Sequence, residues 1–585
     1  MSNKPTLPKG TRDFGPLQVQ RRKYMLQTIE RVFKKYGFMP IETPAMENLA
    51  TLEGKYGDEG DQLLFRVIDS GEYFEKAKRN LIPENSIEIQ NNLTENVQGI
   101  IRNVINPNVI NEISEENIRS FIDSFISKYK GDEINSTSSK SRLSNSVLSY
   151  LKKEKKTLAK NIYKLILKSN LKPSDDESTF KLYFKEFQEA YLNKISLDII
   201  SELKDTRKRL STLTSKELNN YITEKGLRYD LTVPFARFIV MNRNEITFPF
   251  KRYQMQPVWR ADRPQKGRYR EFWQCDADII GSKSLLNEID LIQIYAEAFH
   301  ELGIPYQIKI NNRKVLAGIA EVVKGIEYMN TIAVAIDKLD KVGEEGVKKE
   351  LNNHGFTANE IQLLFDILKT EGNAQLQELK SKLNNSAEGL RGIEELEFII
   401  SNIHSIPNGT INLSTDFSLA RGLSYYTGAI FEVVATAGTL KSSIGGGGRY
   451  DNLTGIFGLP DVSGVGISFG LDRMYDVMEE LNLFPDTLKA CETKVLCCYF
   501  DKATQEYALR GAALLRANNI ATEVYPDITK KIGKQLDYAN ALHIPYAVII
   551  GENEMKSGKA VLKNLTKGTQ HELSLEEIVH YLQLN

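Results

Sequence analysis

The sequence predicts an α+β fold: a sheet surrounded by helices, followed by a separate tail in which strands and helices alternate. Three observations predict it. Segments such as KRYQMQPVW (251–259) and REFWQCDADII (270–280) carry the period of two that a half-buried strand requires. Residues 313–405 read as almost entirely helical, with EYMNTIAVAIDKLDKV and NEIQLLFDILKT as their clearest apolar stripes. From Thr493 onward short apolar strands alternate with helical stretches, the pattern of a parallel or mixed sheet of its own.

Taken in order, LQVQRRKYMLQTIERVFKKY (17–36) has helical periodicity and is followed by Gly37, as a helix C-terminus requires. FMPIETPAMEN then reads as a short strand between prolines. Between Leu81 and Leu210 the composition shifts to Asn, Ile, Ser and Lys, with helical-looking runs such as NNLTENVQGIIRNVINPNVI and LKKEKKTLAKNIYKLILKS, and we take this block as an insert. Beyond it GLRYDLTVPFARFIVM and KRYQMQPVW alternate as strands, and residues 284–303 form an amphipathic helix before the strand YQIKI. After the helical stretch, strands return at TINLSTDFSLARGLSYYTGAIFEVVAT. The glycine cluster IGGGGRYDNL, weak as a phosphate loop because it lacks GxxxxGK[ST] and as suited to a tight turn as to a ligand, precedes the strand GVGISFG and the helix LDRMYDVMEEL. The resulting boundaries are 1–80, 211–312 and 406–488 for the core, 81–210 for the insert, 313–405 for a helical domain and 493–585 for the tail. At 585 residues the chain is too long for a single core.

Charge and cysteine usage narrow the class. Lys plus Arg and Asp plus Glu both number 76, so a chain basic all over is excluded, and any nucleic-acid contact must come from local patches. The four cysteines and six histidines show no metal-ligand spacing, so no metal site is expected from protein motifs. MSNKPTLPKGTRDF lacks the apolar core of a signal peptide, and no apolar run approaches the roughly 20 residues that span a bilayer. A cytoplasmic chain without membrane contact is the expectation.

The chemistry concentrates in RADRPQKGRYREFWQCDADIIG (260–281), which holds four arginines, one lysine and four carboxylates. Arg260 and Arg268 flank the turn Pro264–Gly267 of a hairpin, and two guanidinium forks at its mouth suit phosphate oxygens. Strand alternation puts Arg268, Arg270, Phe272, Gln274, Asp276 and Asp278 on one face, with Cys275, Ala277 and Ile279 on the core face. Phe272 offers a stacking surface, and the row from Phe272 to Asp278 spans about 20 Å. That is room for an extended ligand with an anionic end, an aromatic middle and a cationic end. The same rule groups Arg228, Asp230 and Thr232, a carboxylate and a hydroxyl that suit an ammonium group. RGLSYYTG sets Arg421 beside Tyr425 and Tyr426, which strand geometry would turn to opposite sides. Arg473 falls in the first turn of the helix after GVGISFG, where a helix N-terminus and a guanidinium both favour phosphate. Each pattern alone also describes an ordinary solvated surface. No Ser-His-Asp or Cys-His set assembles, which favours charge stabilisation over covalent catalysis.

Together PKGTRDF, GFMPIETPAMEN, LRYDLTVPFAR, YQMQPVWRADRPQKGRYREFWQCDADIIG, ARGLSYYTGAIFEV and GGGGRYDNLTGIFG followed by GVGISFGLDR resemble, in order, the segments of the class II aminoacyl-tRNA synthetases, and among them the histidyl-tRNA synthetase family. The resemblance covers nearly everything outside 81–210. It implies an antiparallel-sheet catalytic domain with helical insertions and a C-terminal α/β anticodon-binding domain. The implied reaction is ATP-dependent activation of L-histidine to histidyl-adenylate, then transfer to the 3′ end of tRNA(His), with Mg²⁺ on the pyrophosphate portion. By resemblance, Arg260 and Arg421 are catalytic, with Arg421 stabilising charge at the α-phosphate. Arg260, Asp262, Arg268, Phe272 and Arg473 bind ATP. Asp230, Thr232 and Gln274 hold the histidine α-amino group, and Asp278, Tyr425 and Tyr426, with Arg421 beside them, complete the histidine site. A homodimer meeting around Pro44 is also implied, as is a helical domain 313–405 near the tRNA acceptor stem. Two features depart from the family pattern: Ser424 stands where Asp is usual, and the connection 81–210 is far longer than usual. The alternative reading is a catalytically silent, histidine-sensing regulatory relative, which usually lacks both the arginines and the tail.

Overall fold

A computed structural model describes residues 4–54, 63–68, 86–104, 114–130, 156–166, 184–185, 187–192, 223–369, 376–404, 409–420 and 425–584. The chain divides into two compact units, Met1–Phe65 with Gly226–Asn585, and Arg66–Lys225.

In the first unit, helix α1 (Pro16–Lys35) starts with proline in its first turn, where no N–H is missed. It buries Met25, Ile29, Val32 and Phe33 along one face, and Gly37 at φ +79° lets the chain turn away. The strands β1 (Met39–Pro40), β2 (Phe250–Trp259), β3 (Glu271–Ile280), β4 (Tyr306–Asn312), β5 (Leu413–Thr415), β6 (Ala429–Ala435), β7 (Gly445–Tyr450) and β8 (Gly464–Gly470) form one sheet in the order β1-β2-β3-β8-β7-β6-β4-β5. Every pairing from β2 through β4 is antiparallel; only the two outer strands join in parallel. The core face of β3 behaves as its alternation predicts: Cys275, Ala277 and Ile279 are fully buried, in one cluster with Phe33 of α1 and Leu291, Ile292 and Tyr295 of helix α3 (Leu286–Glu301). Burying that many large apolar side chains, at about 1.5–3 kcal/mol each, fixes which face of the sheet stays open for chemistry.

Two readings are corrected. GLRYDLTVPFARFIVM is not a continuous strand: its strand ends at Leu227, and helix α2 spans Thr232–Met241. The Asp230 carboxylate accepts the Val233 N–H at 3.4 Å, and Pro234 falls in the first turn, where a missing N–H costs nothing. Asp230 and Thr232 therefore do not share a strand face. Arg228 serves structure: it is 1% exposed and donates to the carbonyls of Thr43, Pro44 and Pro257. The glycine cluster, open between a tight turn and a ligand loop, is instead the strand β7. A Cβ on Gly447 would come within 2.2 Å of the Gly466 carbonyl oxygen, and one on Gly445 within 2.9 Å of the Tyr295 ring. Close approach by neighbours, not turn geometry, dictates glycine here.

Residues 313–402 hold six α-helices among those described, including α4 (Arg313–Val323) and α5 (Ala387–Asn402). These two cross so closely that a Cβ on Gly318 would meet the Gly389 Cα at 2.5 Å. The tail forms β9 (Val495–Tyr499), β10 (Thr522–Val524), β11 (Tyr546–Ile550), β12 (Lys559–Asn564) and β13 (Gln570–Ser574) in a mixed sheet of order β10-β9-β11-β12-β13. It has a core of its own, with Val495, Cys497, Leu515, Val548 and Ile578 fully buried.

The second unit, apart from the strand residues 66–68 and 223–225 at its two ends, is helical where described. Ser86–Val104 buries Leu93, Val97, Ile100, Ile101 and Val104, an amphipathic stripe, and Glu115–Lys130 buries Ile118 and Ile122. The first half of the lysine-rich stretch 151–160 lies outside the described residues; 156–166 is helical. Where the first unit's chain leaves and returns, a Cβ on Gly226 would sit 3.1 Å from the Phe65 carbonyl oxygen, so the two points are neighbours.

Candidate active site

The open face of the sheet carries a cavity at the mouth of the β2–β3 hairpin. The hairpin is held in register from Trp259 opposite Glu271 to Phe250 opposite Ile280, and Arg260 N–H donates to the Arg270 carbonyl beyond it. Arg260, Asp262, Arg268, Phe272, Gln274, Tyr426 and Arg473 all line this cavity, so seven of the expected site residues converge from segments far apart in sequence.

At the phosphate-seeking end, three guanidinium groups gather. Arg260 Nε donates to the Tyr229 carbonyl at 2.9 Å, and its guanidinium lies 5.2 Å from the centre of the Phe272 ring. Arg473 stands in the first turn of α6 (Leu471–Glu480), held by 2.7 Å bonds from Nε to the Gly267 carbonyl and from Nη1 to the Ser443 carbonyl. Burial, and then the like charges of Arg260 and Arg268, lower its pKa. Such a cluster of cations in a cavity calls for an anion. Arg268 is the more exposed member, with Nη1 3.7 Å from Asp262 Oδ1.

Gly445, Gly446 and Gly470 also line the cavity, and none of them carries a side chain into it. Arg270, expected on this face, turns away. Its Nε donates to the Asp262 carbonyl and its N–H to the Gly10 carbonyl, because the strand proper begins only at Glu271.

Three buried carboxylates lie nearby without lining the cavity. Asp230, Asp276 and Asp278 are 3%, 3% and 2% exposed. Asp278 is held in a second layer: Tyr450 donates to Oδ1 at 2.6 Å, and Arg252 Nη2 lies 2.6 Å from Oδ2. Burial raises its carboxyl against the opposing effect of Arg252. Gly466 leaves it room, since a Cβ there would fall 1.9 Å from Oδ1. Burial likewise pushes Asp230 and Asp276 up to about 7, opposed chiefly by Arg260 for the first and Arg252 for the second. Tyr425 and Tyr426 are not in a strand, and their rings meet at 4.8 Å. Tyr426 faces the cavity, while Tyr425 packs beside Tyr229 and Val233 and shares a hydrogen bond with Thr232. Burial raises both phenols, keeping them neutral donors. Arg421 and Ser424 lie outside the described residues.

Several contributors escaped the sequence reading. Asp472 lines the cavity and accepts from Arg12 and Arg22, each at 2.6 Å, and from the Trp273 N–H at 2.8 Å. Arg12 also donates to Tyr269 and Asp476, so the segment PKGTRDF locks the hairpin to α6. Ser468, which lines the cavity and accepts from Gln274 Nε2 at 3.0 Å, and Arg252, fully buried against Asp278, are two more. One signal was available for Arg252: once Trp259 is set opposite Glu271, antiparallel register places Arg252 opposite Asp278.

Comparison with known proteins agrees with this geometry. A family model described as histidyl-tRNA synthetase matches residues 202–474, and one described as anticodon binding domain matches 493–585. A histidine–tRNA ligase of Cytophaga hutchinsonii is 43% identical over 582 residues, 99% of each chain. One of Flavobacterium johnsoniae is 42% identical over 580 residues, 98% of each. Alignments of this length take in the 81–210 block, so it is not peculiar to this chain. A crystal structure of histidyl-tRNA synthetase from a Nostoc species shares the fold, with a TM-score of 0.63 at 23% identity over 99% of this chain and 98% of that one.

Proposed function

The chain belongs to the histidyl-tRNA synthetase family, and on that premise we propose how its cavity activates histidine and passes it to tRNA. It is an enzyme, a ligase forming aminoacyl-tRNA from histidine with ATP as substrate, and the regulatory alternative is set aside. The observation that carries the residue assignments is the meeting of Arg260, Arg268, Arg473, Phe272, Gln274 and Tyr426 around one cavity.

In this reading ATP lies with its adenine on Phe272 and its phosphates among the three guanidinium groups, Asp262 helping to orient Arg268. Asp230, Thr232 and Gln274 receive the α-amino group of histidine, and Asp278, through its place behind Gly466, acts with Tyr425 and Tyr426 on the imidazole side. A carboxylate oxygen of histidine attacks the α-phosphorus, the bond from that phosphorus to the bridging oxygen of pyrophosphate breaks, and histidyl-adenylate and pyrophosphate result. Arg260, and Arg421 by family resemblance, stabilise the charge that grows at the α-phosphate. A hydroxyl of the terminal ribose of tRNA(His) then attacks the carbonyl carbon, and AMP leaves.

Among the described residues no group of three His, Cys, Asp or Glu side chains is set to hold a metal. Asp262 lines the phosphate end, a single carboxylate of the kind that accompanies a metal carried by substrate phosphates. Mg²⁺ is therefore assigned to the nucleotide substrate, where it neutralises phosphate charge.

The tail 493–585 is assigned to the anticodon and 313–405 to the acceptor stem. A homodimer around Pro44 is supported by the 50% and 46% exposure of Met39 and Met46 on either side of it. No described helix is long and apolar enough to cross a membrane, and a cytoplasmic site of action follows from the proposed tRNA substrate. The test is charging: with ATP and Mg²⁺, purified protein is expected to attach labelled histidine to tRNA(His) in acid-precipitable form. Absence of labelled tRNA under conditions that keep the protein folded would refute the reading.

A further inference from the structure

The strand that brings Gln274 to the cavity holds, two residues on, a buried acceptor that none of the assignments above uses. Asp276 lies on β3 between Gln274 and Asp278, opposite Gln254 on β2 and Ser468 on β8. It is 3% exposed, and its Oδ1 has no hydrogen-bond partner among the described residues. A buried carboxylate oxygen without a donor is costly unless something supplies one.

Most of the neighbouring donors are committed elsewhere; Arg252 Nε, buried and without a hydrogen-bond partner among the described residues, acts on Asp276 through its charge and makes no hydrogen bond to it. Gln254 Nε2 donates to Thr43 Oγ1 and Gln256 Oε1 at 2.8 and 2.6 Å, and Gln254 Oε1 accepts from Arg252 Nη1 at 3.3 Å. Arg252 Nη2 is set against Asp278. Gln274 Nε2 is spent on Ser468 Oγ, and Ser468 is within hydrogen-bonding reach of the Asp276 carboxyl. This arrangement also orients Gln274: with its NH₂ on Ser468, its carbonyl oxygen is left as a buried acceptor with no partner. Asp230 Oδ2 is in the same condition.

Three buried acceptors are thus without a donor: Gln274 Oε1, whose residue lines the cavity, Asp276 Oδ1 two residues along the same strand face, and Asp230 Oδ2, whose carboxyl is near enough to Asp276 for their charges to interact. A primary ammonium has three N–H donors and one positive charge. We propose that Asp276 is a further substrate-binding residue, completing with Asp230 and Gln274 a three-acceptor cradle for the α-ammonium of the amino-acid substrate. The inference rests on the reading above that Asp230 and Gln274 receive the amino group of histidine. It adds to that reading a second carboxylate on the amino group, and it gives Ser468 the positioning role of turning Gln274 so that its oxygen faces the ligand.

The test separates the amino group from the imidazole. In histidine-dependent ATP–pyrophosphate exchange, Asp276→Asn is expected to raise KM for L-histidine at least tenfold while KM for ATP stays within twofold. The inhibition constant of 3-(imidazol-4-yl)propionate, which is histidine without its amino group, is expected to stay within twofold. A KM for histidine within twofold of wild type would overturn the assignment, and so would an inhibition constant that rises in step with it, since Asp276 would then act on the ring or on pocket shape. Should Asp276→Asn not fold, Asp276→Ser, which removes the carboxylate and keeps a small polar side chain, carries the same test with the same readouts. A selective rise in KM for histidine supports the cradle, and no rise refutes it. Failure of the wild-type protein to catalyse exchange would instead defeat the underlying reading, a distinct outcome.

Discussion

Replacing Arg473 with alanine removes one of the three guanidinium groups at the phosphate end, and the structure sets the size of the effect. Nε and Nη1 are occupied by the carbonyls of Gly267 and Ser443. Nη2 is the group left for a ligand, so the loss is of about one charge-assisted hydrogen bond. Such a bond contributes about 1.5–3 kcal/mol, or roughly 10–150-fold in rate. Relief of repulsion from Arg260 and Arg268 offsets part of this, which places the expected loss in the lower half of that range. The two freed carbonyls lie on the cavity rim and can take water in place of the guanidinium, so the fold is expected to survive. The assay is pyrophosphate exchange at saturating histidine with ATP varied. kcat/KM for ATP should fall by the stated factor, with KM for histidine within twofold. Arg473→Lys should recover little, because an ammonium cannot hold both carbonyls and still reach phosphate. A kcat/KM for ATP within threefold of wild type, or an equal loss in histidine affinity, would refute the placement of the triphosphate.

Arg252→Met leaves Asp278 buried without its cation and should destabilise the catalytic unit by about 3–5 kcal/mol; adding Asp278→Asn should restore much of that stability but not activity, and thermal unfolding of the three variants checks it, an unchanged melting temperature in Arg252→Met counting against the pair. Asp230 and Asp276 sit near 7 in the ligand-free protein, raised above the ordinary carboxyl value. Binding an ammonium needs them ionised, so kcat/KM for histidine should rise between pH 7 and 8.5, where the substrate imidazole is already neutral, by about twofold for each carboxyl. A profile flat over that window would contradict those shifts. Removing 493–585 should spare exchange and strongly reduce tRNA charging, because the tail has its own core and no cavity residue lies in it; equal loss of both activities would assign the tail to support of the catalytic unit.

The parts of this fold that were legible in the sequence are those whose pattern has a single cause. The face of β3 carrying Cys275, Ala277 and Ile279 enters the main core, so its alternation could mean little else. The Pro-Gln-Lys-Gly turn fixed the hairpin, and with it the meeting of Arg260, Arg268 and Phe272. Elsewhere two causes competed. RYDLTVPFAR alternates like a strand, yet Asp230 and Pro234 start a helix there, and only their joint position discloses it. Four glycines left a tight turn and a ligand loop open although they form a strand, because the reason for them is the backbone of a neighbour distant in sequence. Asp472 carries no local mark at all; its importance comes from Arg12 and Arg22, brought in by tertiary contact, whereas alternation set Asp276 on the polar face of β3 without disclosing its neighbour Ser468.

The most direct test of the central claim is ATP–pyrophosphate exchange by the purified wild-type protein, run with each of the twenty amino acids in turn. The account predicts exchange with histidine alone, abolished by Arg260→Ala in a protein that remains folded. Exchange with another amino acid in preference to histidine, or none with any, would contradict it.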